Sequence, residues 1–138
     1  MNAPGGLRPG LTGHVEIVVG NEHTAPHVGS GRVHVLATPV MVNLMEAAAL
    51  QAVEGLLPAG QQTVGTHLDI THVAATPVGM RVRAYAELTK VEKNALAFSV
   101  YAEDEKERIG AGIHERIIIN LARFDARMQE KIGLIPKA

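Results

Sequence analysis

No cysteine occurs among the 138 residues, which excludes both a disulfide framework and a thiol nucleophile. An excess of either charge is missing too: 13 Lys and Arg face 14 Asp and Glu, for a formal net charge of -1, and the basic residues form no long run. Without such a run there is no electrostatic grip on nucleic acid or anionic lipid, so small molecules or other proteins are the expected partners. The opening MNAPGGLRPGLTGH lacks the apolar core of a signal peptide, and the expected location is the cytoplasm. A transmembrane segment is not expected, because the apolar run around Glu46 falls short of the roughly 20 residues that cross a bilayer and is interrupted by charge.

What is present is a chain of one domain's size, with 46% hydrophobic residues, and a single compact domain over 1–138 is expected. HVEIVV (14–19) alternates and is rich in β-branched residues, as a strand should be. GNEHTAPHVGSGR (20–32) reads as a loop. Thr38 and Pro39 then form a good helix start, the Thr hydroxyl suiting the N-cap and Pro the first helical position, and helix formers continue to Leu57, where LLPAG ends them. Apolar residues surround this helix, which predicts cover on most sides. Four long β segments follow at 63–75, 80–92, 95–104 and 108–120, separated by short turns that imply antiparallel neighbours. LARFDARMQEKIG (121–133) has the pattern of a short surface helix. Strand, buried helix and four consecutive strands are satisfied by an α+β architecture, an antiparallel sheet curled around a central helix, known as the hotdog fold.

Within VLATPVMVNLMEAAALQAVEGLL (35–57), Glu46 demands a reason, because a carboxylate is almost never buried without a partner. It is either a member of an active site or one half of a structural pair. His72, in TVGTHLDITHVAATP, shares a strand face with Ile70 and Ala74, opposite His67 and Asp69. If that face meets the helix, a neutral imidazole reaches the core near a carboxylate, a plausible acid–base pair; otherwise His72 is a satisfied core histidine. Thr38 is accounted for as an N-cap, but a hydroxyl beside the free N–H groups of a helix start is also placed to assist attack on a thioester carbonyl and to hold the oxyanion. Thr38 and Glu46 stand eight residues apart, about 12 Å along a helix, too far to act together within one chain. His23 and His27 lie in a Gly/Pro loop without a compact third ligand, and no metal site is expected.

ATPVMVNLMEAAAL, VGTHLDITHVAATPVG and GAGIHERIIINLARFDAR, in this order and at this spacing, resemble the fluoroacetyl-CoA thioesterase family of hotdog proteins from about Leu11 to Lys131. The resemblance implies a catalytic set that falls on Thr38, Glu46 and His72, with acyl-CoA contacts at Gly65 and Arg116. Gly65 would allow close backbone approach to a ligand or mark a strand bulge; Arg116 would meet a CoA phosphate or Glu46, or lie solvated on the surface. The resemblance also implies a homodimer, or a dimer of dimers, in which Thr38 of one subunit meets Glu46 of the other. One region departs. Where the family pattern has a longer segment with Phe residues forming a lid over the acyl pocket, this chain has the shorter, Phe-free NEHTAPHVGSGRVHVL.

The expected function is therefore hydrolysis of a small or medium acyl-CoA, with no cofactor beyond the CoA carried by the substrate. Two alternatives share the fold: an acyl-CoA hydratase, and a non-catalytic acyl-CoA-binding sensor.

Overall fold

The computed structural model describes residues 6–137. Five strands, β1 (Thr12–Val18), β2 (Gln61–His72), β3 (Arg81–Glu92), β4 (Ala95–Asp104) and β5 (Arg108–Asn120), form one antiparallel sheet in the order β1-β3-β4-β5-β2. Helix α1 (Ala25–Val28) is a single turn, α2 (Thr38–Val53) is the long helix, and α3 (Leu121–Ile132) follows β5. The α+β hotdog arrangement expected from the order of elements is thus the one observed, and the four later strands fall within about three residues of their expected bounds.

Strand alternation decides which side chains enter the core. Val82, Ala84, Ala86 and Leu88 of β3 and Leu96, Phe98, Val100 and Ala102 of β4 point at α2 and are buried, while the residues between them face outward. Met41, Leu44, Met45, Ala48, Ala49, Ala52 and Val53 of α2 close this core.

The helix sits unusually close to β1. A Cβ at Gly13 would collide with the backbone carbonyl of Ala48 and the backbone nitrogen of Ala52, so only glycine lets strand and helix backbones approach to this degree. Three alanines on the facing side of α2 make the same approach possible from the helix, and Gln51 accepts a 2.7 Å hydrogen bond from the His14 N–H at this crossing.

Three expectations are corrected. First, residues 20–32 are not plain loop but contain a 3₁₀ turn (Asn21–His23) and α1. Second, the N-cap of α2 is Ala37, no side chain caps it, and Thr38 is already helical. The start is instead fixed by the backbone: the Leu36 N–H donates to Thr76 O at 2.9 Å and the Ala37 N–H to His23 O at 2.9 Å. Third, α2 is covered on one broad face rather than on most sides. It packs chiefly on β1 and β3, so the stripe Val42, Glu46, Leu50 stays only half-buried opposite β5 and β2. The concave face of β2 and β5 is therefore partly open.

The close crossing predicts that Gly13→Ala destabilises the protein by about 1–3 kcal/mol, the usual cost of overpacking, because neither backbone can move aside. Denaturant midpoints of the variant and the parent, at unchanged m-value, measure it. Gly55→Ala, where a Cβ meets open space and φ is not positive, serves as the control for loss of glycine as such.

Candidate active site

Two sets of polar groups line the concave side, one at each end of the open face. The first forms where α2 begins. Thr38 Oγ1 and His72 Nδ1 lie 2.7 Å apart, joining the first turn of α2 to the last residue of β2 across 34 positions of sequence. Freed from capping, the hydroxyl is available for this contact. His72 Nε2 is buried and has no hydrogen-bond partner among the described residues. Burial holds the imidazole below its ordinary pKa, so it is neutral at pH 7 with one nitrogen able to accept a proton. A depression of about 330 Å³ opens at this pair, walled by Ala25, Leu36, Val73 and Ala74 among others.

The second set surrounds Glu46, two turns further along α2. Its Oε2 would be 2.9 Å from a Cβ at Gly65, so the missing side chain of Gly65 is what gives the carboxylate its space. A pocket of about 250 Å³ is lined here by Glu46, Gly65, Thr66, His67, Leu68 and His114. Glu46 joins no salt bridge among the described residues.

A β-bulge builds this arrangement. In β2 the register against β5 shifts between Gly65 and His67, leaving Thr66 without an opposite residue. Strict alternation would put Gly65 on the outer face with His67 and Asp69; the extra residue turns it inward, on the same side as Leu68, Ile70 and His72. The two sequence readings of Gly65, bulge and close approach, are therefore one feature.

Arg116 is neither solvated nor at the surface: 8% of it is exposed. Its Nε donates to Thr63 Oγ1 at 2.8 Å, Nη2 to Thr63 O at 3.1 Å and Nη1 to His114 Nε2 at 3.1 Å. Burial lowers the Arg116 pKa, and the Glu46 charge partly offsets that, although the two do not form an ion pair. Three neutral acceptors hold the fork, so its direction is fixed before any ligand arrives.

His114 is the residue that sequence reasoning missed. The expectation of an imidazole near the carboxylate is met, but by His114 rather than His72, which sits with Thr38 instead. It is fully buried, rests against Phe98 with ring centroids 6.1 Å apart, and has its Nδ1 2.9 Å from His67 O. A carbonyl can only accept and a guanidinium can only donate, so Nδ1 carries the proton and Nε2 is bare. Burial, and then the nearby Arg116 charge, push its pKa down and keep it in this neutral form. The signal was present in GAGIHERIIIN: His114 and Arg116 are two residues apart in a strand and must share a face.

A curled antiparallel sheet, a helix with a hydroxyl–imidazole contact at its N-terminus and a carboxylate lower on the same helix fit a thioesterase of the hotdog class. A family profile described as fluoroacetyl-CoA-specific thioesterase matches residues 19–122. The chain is 43% identical over 97 residues to the fluoroacetyl-CoA thioesterase of Streptantibioticus cattleyicolor, covering 70% of each. A solved structure of a fluoroacetyl-CoA thioesterase superposes with a TM-score of 0.86 at 37% identity, covering 91% of this chain and 98% of that one. A thioesterase superfamily member from Thermus thermophilus superposes with a TM-score of 0.84 at 32% identity, covering 93% and 97%. The chain belongs to the fluoroacetyl-CoA-specific thioesterase family and is a thioester hydrolase.

The two depressed imidazoles make a prediction about stability. His72 and His114 have folded pKa values below the unfolded value of about 6.5, so the unfolded chain takes up protons first as pH falls. Their contribution is complete above that value and is lost as pH drops from it toward the folded values. His114→Asn, which keeps a donor for His67 O but removes the acceptor of Arg116, should lose about 1–3 kcal/mol at pH 8 and flatten the pH dependence. Thermal unfolding of both proteins between pH 5 and 8 checks this.

Proposed function

We propose that the protein hydrolyses small or medium acyl-CoA thioesters to the free acid and CoA, through a site completed between two copies of the chain. The observation that carries the reading is the 2.7 Å contact of Thr38 and His72 at the start of α2. A thioester carbonyl at this point meets a hydroxyl, a neutral base and the Thr38 N–H, the amide of the helix's first turn that has no backbone partner among the described residues, the three things acyl transfer to water needs. With the proton on His72 Nε2, the Thr38 hydroxyl donates to Nδ1. The imidazole can then take a proton as the oxygen of Thr38, or of a water bound to it, attacks. The C–O bond forms, the carbonyl electrons move onto an oxygen facing the helix N-terminus, and collapse expels the CoA sulfur, which leaves with the proton from the imidazole. Where the first attack is by Thr38, water repeats the sequence on the acyl-enzyme. The reaction needs no metal or cofactor, CoA entering as part of the substrate.

Glu46 belongs to this chemistry as the base that orients the attacking water, but not from the same chain. Eight residues of helix separate it from Thr38, about 12 Å, and the two line different depressions. The half-open stripe of α2 and the uncovered face of β2 and β5 offer the surface on which a second copy brings its Glu46 to the first copy's Thr38 and His72. A homodimer is the smallest such assembly, and a dimer of dimers keeps the same site. In that setting Gly65 lets the acyl-CoA chain pass close to the β2 backbone, and Arg116, fixed beneath it, supplies positive charge to Glu46 and to the substrate from within. We place the enzyme in the cytoplasm.

Thr38→Ala, Glu46→Gln and His72→Ala should each lower kcat for acyl-CoA hydrolysis by about tenfold or more, general acid–base groups typically contributing about 10² to 10⁴. Thiol release followed on folded variants is the measurement; parental turnover in all three would sink the assignment. Saturable acyl-CoA binding without turnover in the parent would identify a sensor instead. Mixing Thr38→Ala with Glu46→Gln under subunit exchange should restore part of the activity, since one site of each mixed dimer is intact. No recovery despite proven exchange would place the site within one chain.

Selectivity follows from the segment between β1 and α2. Residues 20–37 contain no aromatic side chain, so no Phe lid closes over the acyl group, and hydrophobic pockets separate small substituents by only about 1–3 kcal/mol even when well formed. Once corrected for uncatalysed hydrolysis, kcat/KM for fluoroacetyl-CoA and acetyl-CoA should differ little, and bulkier acyl groups should be accepted. A strong corrected preference for the fluorinated substrate would show that discrimination lies elsewhere.

A further inference from the structure

We propose that the acyl pocket takes a chain that ends in a carboxylate, held by Arg32. The inference rests on the thioesterase reading above and specifies its substrate class.

Arg32 lines the depression that opens at Thr38 and His72, and among the described residues it is the only charged one to do so. The remaining walls are small or apolar: Ala25, Val33, Val35, Leu36, Val73 and Ala74 among them. Arg32 joins none of the salt bridges among the described residues. Arg81 and Arg83 pair with Glu16, Arg108 lies over the Tyr101 ring and Arg116 is held by Thr63 and His114, whereas Arg123 and Arg127 share the lack of a salt bridge with Arg32 but lie on α3, away from this depression.

The sequence explains why this cation is left over. No acidic residue occurs between Glu22 and Glu46, nor between Asp69 and Glu87, and these are the two stretches that meet at the depression. His23, His27, His34 and His72 fall in the same stretches, so any protonation there adds positive charge. Within one chain the local field favours an anion, and in the dimer the one carboxylate added is the partner subunit's Glu46, at the reacting end of the depression beside Thr38 and His72.

The position of Arg32 is defined by its loop. The Ala25 N–H donates to Val35 O at 3.0 Å and Thr24 bridges Leu36, tying the ends of the segment together, while the Ser30 N–H returns to Ala25 O at 3.0 Å. The loop is thus closed at its base, and Arg32, itself exposed, lies at the rim of the depression. A thioester whose carbonyl sits at Thr38 and His72 can extend its acyl arm along the apolar wall until a terminal carboxylate reaches the guanidinium. The planar fork accepts such a group with two hydrogen bonds, a geometry a neutral acyl chain cannot exploit.

CoA itself also carries anions, and its phosphates are the other source of negative charge for Arg32. The acyl carboxylate is favoured because the extended pantetheine arm holds the phosphates well away from the sulfur, whereas Arg32 shares one depression with the pair that handles the carbonyl. The two sources give different kinetics. An acyl carboxylate makes the effect of Arg32 depend on the acyl group, and a phosphate makes it the same for every acyl-CoA.

The test compares substrates matched in carbon number, glutaryl-CoA with pentanoyl-CoA and malonyl-CoA with propanoyl-CoA, each corrected for uncatalysed hydrolysis. The parent protein should favour the carboxylated member of at least one pair by about tenfold in kcat/KM, the scale of a charge-assisted pair. In Arg32→Gln that ratio should fall to about one, Arg32→Lys should keep part of it, and Arg32→Glu should invert it, with folding of each variant checked by circular dichroism. A ratio near one in the parent overturns the proposal while leaving the thioesterase reading intact. An equal rise in KM for all four substrates in Arg32→Gln also overturns it, in favour of a CoA phosphate. Absence of turnover with every thioester overturns the thioesterase reading and this proposal together.

Discussion

The contact on which the structure turns is the backbone-to-backbone crossing of α2 over β1. Gly13 removes the one Cβ that would hold strand and helix apart, and Ala48, Ala49 and Ala52 keep the helix side low. With α2 drawn toward β1 and β3, the curled sheet cannot also cover it from the β2 end. The same displacement that makes the core dense on one side leaves Val42, Glu46 and Leu50 half-open on the other. Burial and exposure of the helix are two results of one close approach.

Every group of the candidate site lies along this open face, and each is set up by a different local device. Ala37 takes the N-cap, so the hydroxyl of Thr38 is free for His72. The bulge at Thr66 turns Gly65 inward and clears a space for the Glu46 carboxylate. His114 and Thr63 fix the Arg116 fork with neutral acceptors, so the guanidinium remains a source of field rather than the neutralising partner of Glu46. Both imidazoles are kept uncharged by burial. A neutral base beside a hydroxyl at one end of the face, and an unpaired carboxylate near a fixed cation at the other, form two halves of one kind of chemistry separated by two turns of helix. That separation, rather than any missing residue type, is what makes a second copy of the chain part of the functional reading.

How much was legible in the sequence depended on the range of the interaction. β-branched alternation and short turns marked β3, β4 and β5 because the two-residue period and the turn residues are local properties. Glu46 stood out for an equally local reason, a charge in an apolar helix. The role of Thr38 as an N-cap was inferred from a local rule and did not hold, because the backbone carbonyls of Thr76 and His23 fix Leu36 and Ala37 from a distance and shift the helix start by one residue. His114 was passed over because its meaning lies in His67 O, a partner 47 positions away.

The sequence by itself determined the order of elements, the faces of the regular strands and the chemical types available to the site: hydroxyl, carboxylate, imidazole and guanidinium, with no thiol. These follow from side-chain period and composition, which the chain carries at every length scale. The tertiary structure alone decided which imidazole meets the hydroxyl and which meets the carboxylate, that Arg116 is buried, and that Gly65 faces inward. A one-residue bulge inverts the face of everything on one side of it, and a hydrogen bond across 34 residues depends on where two elements cross; both are set by packing of the whole core, which no window of the sequence contains.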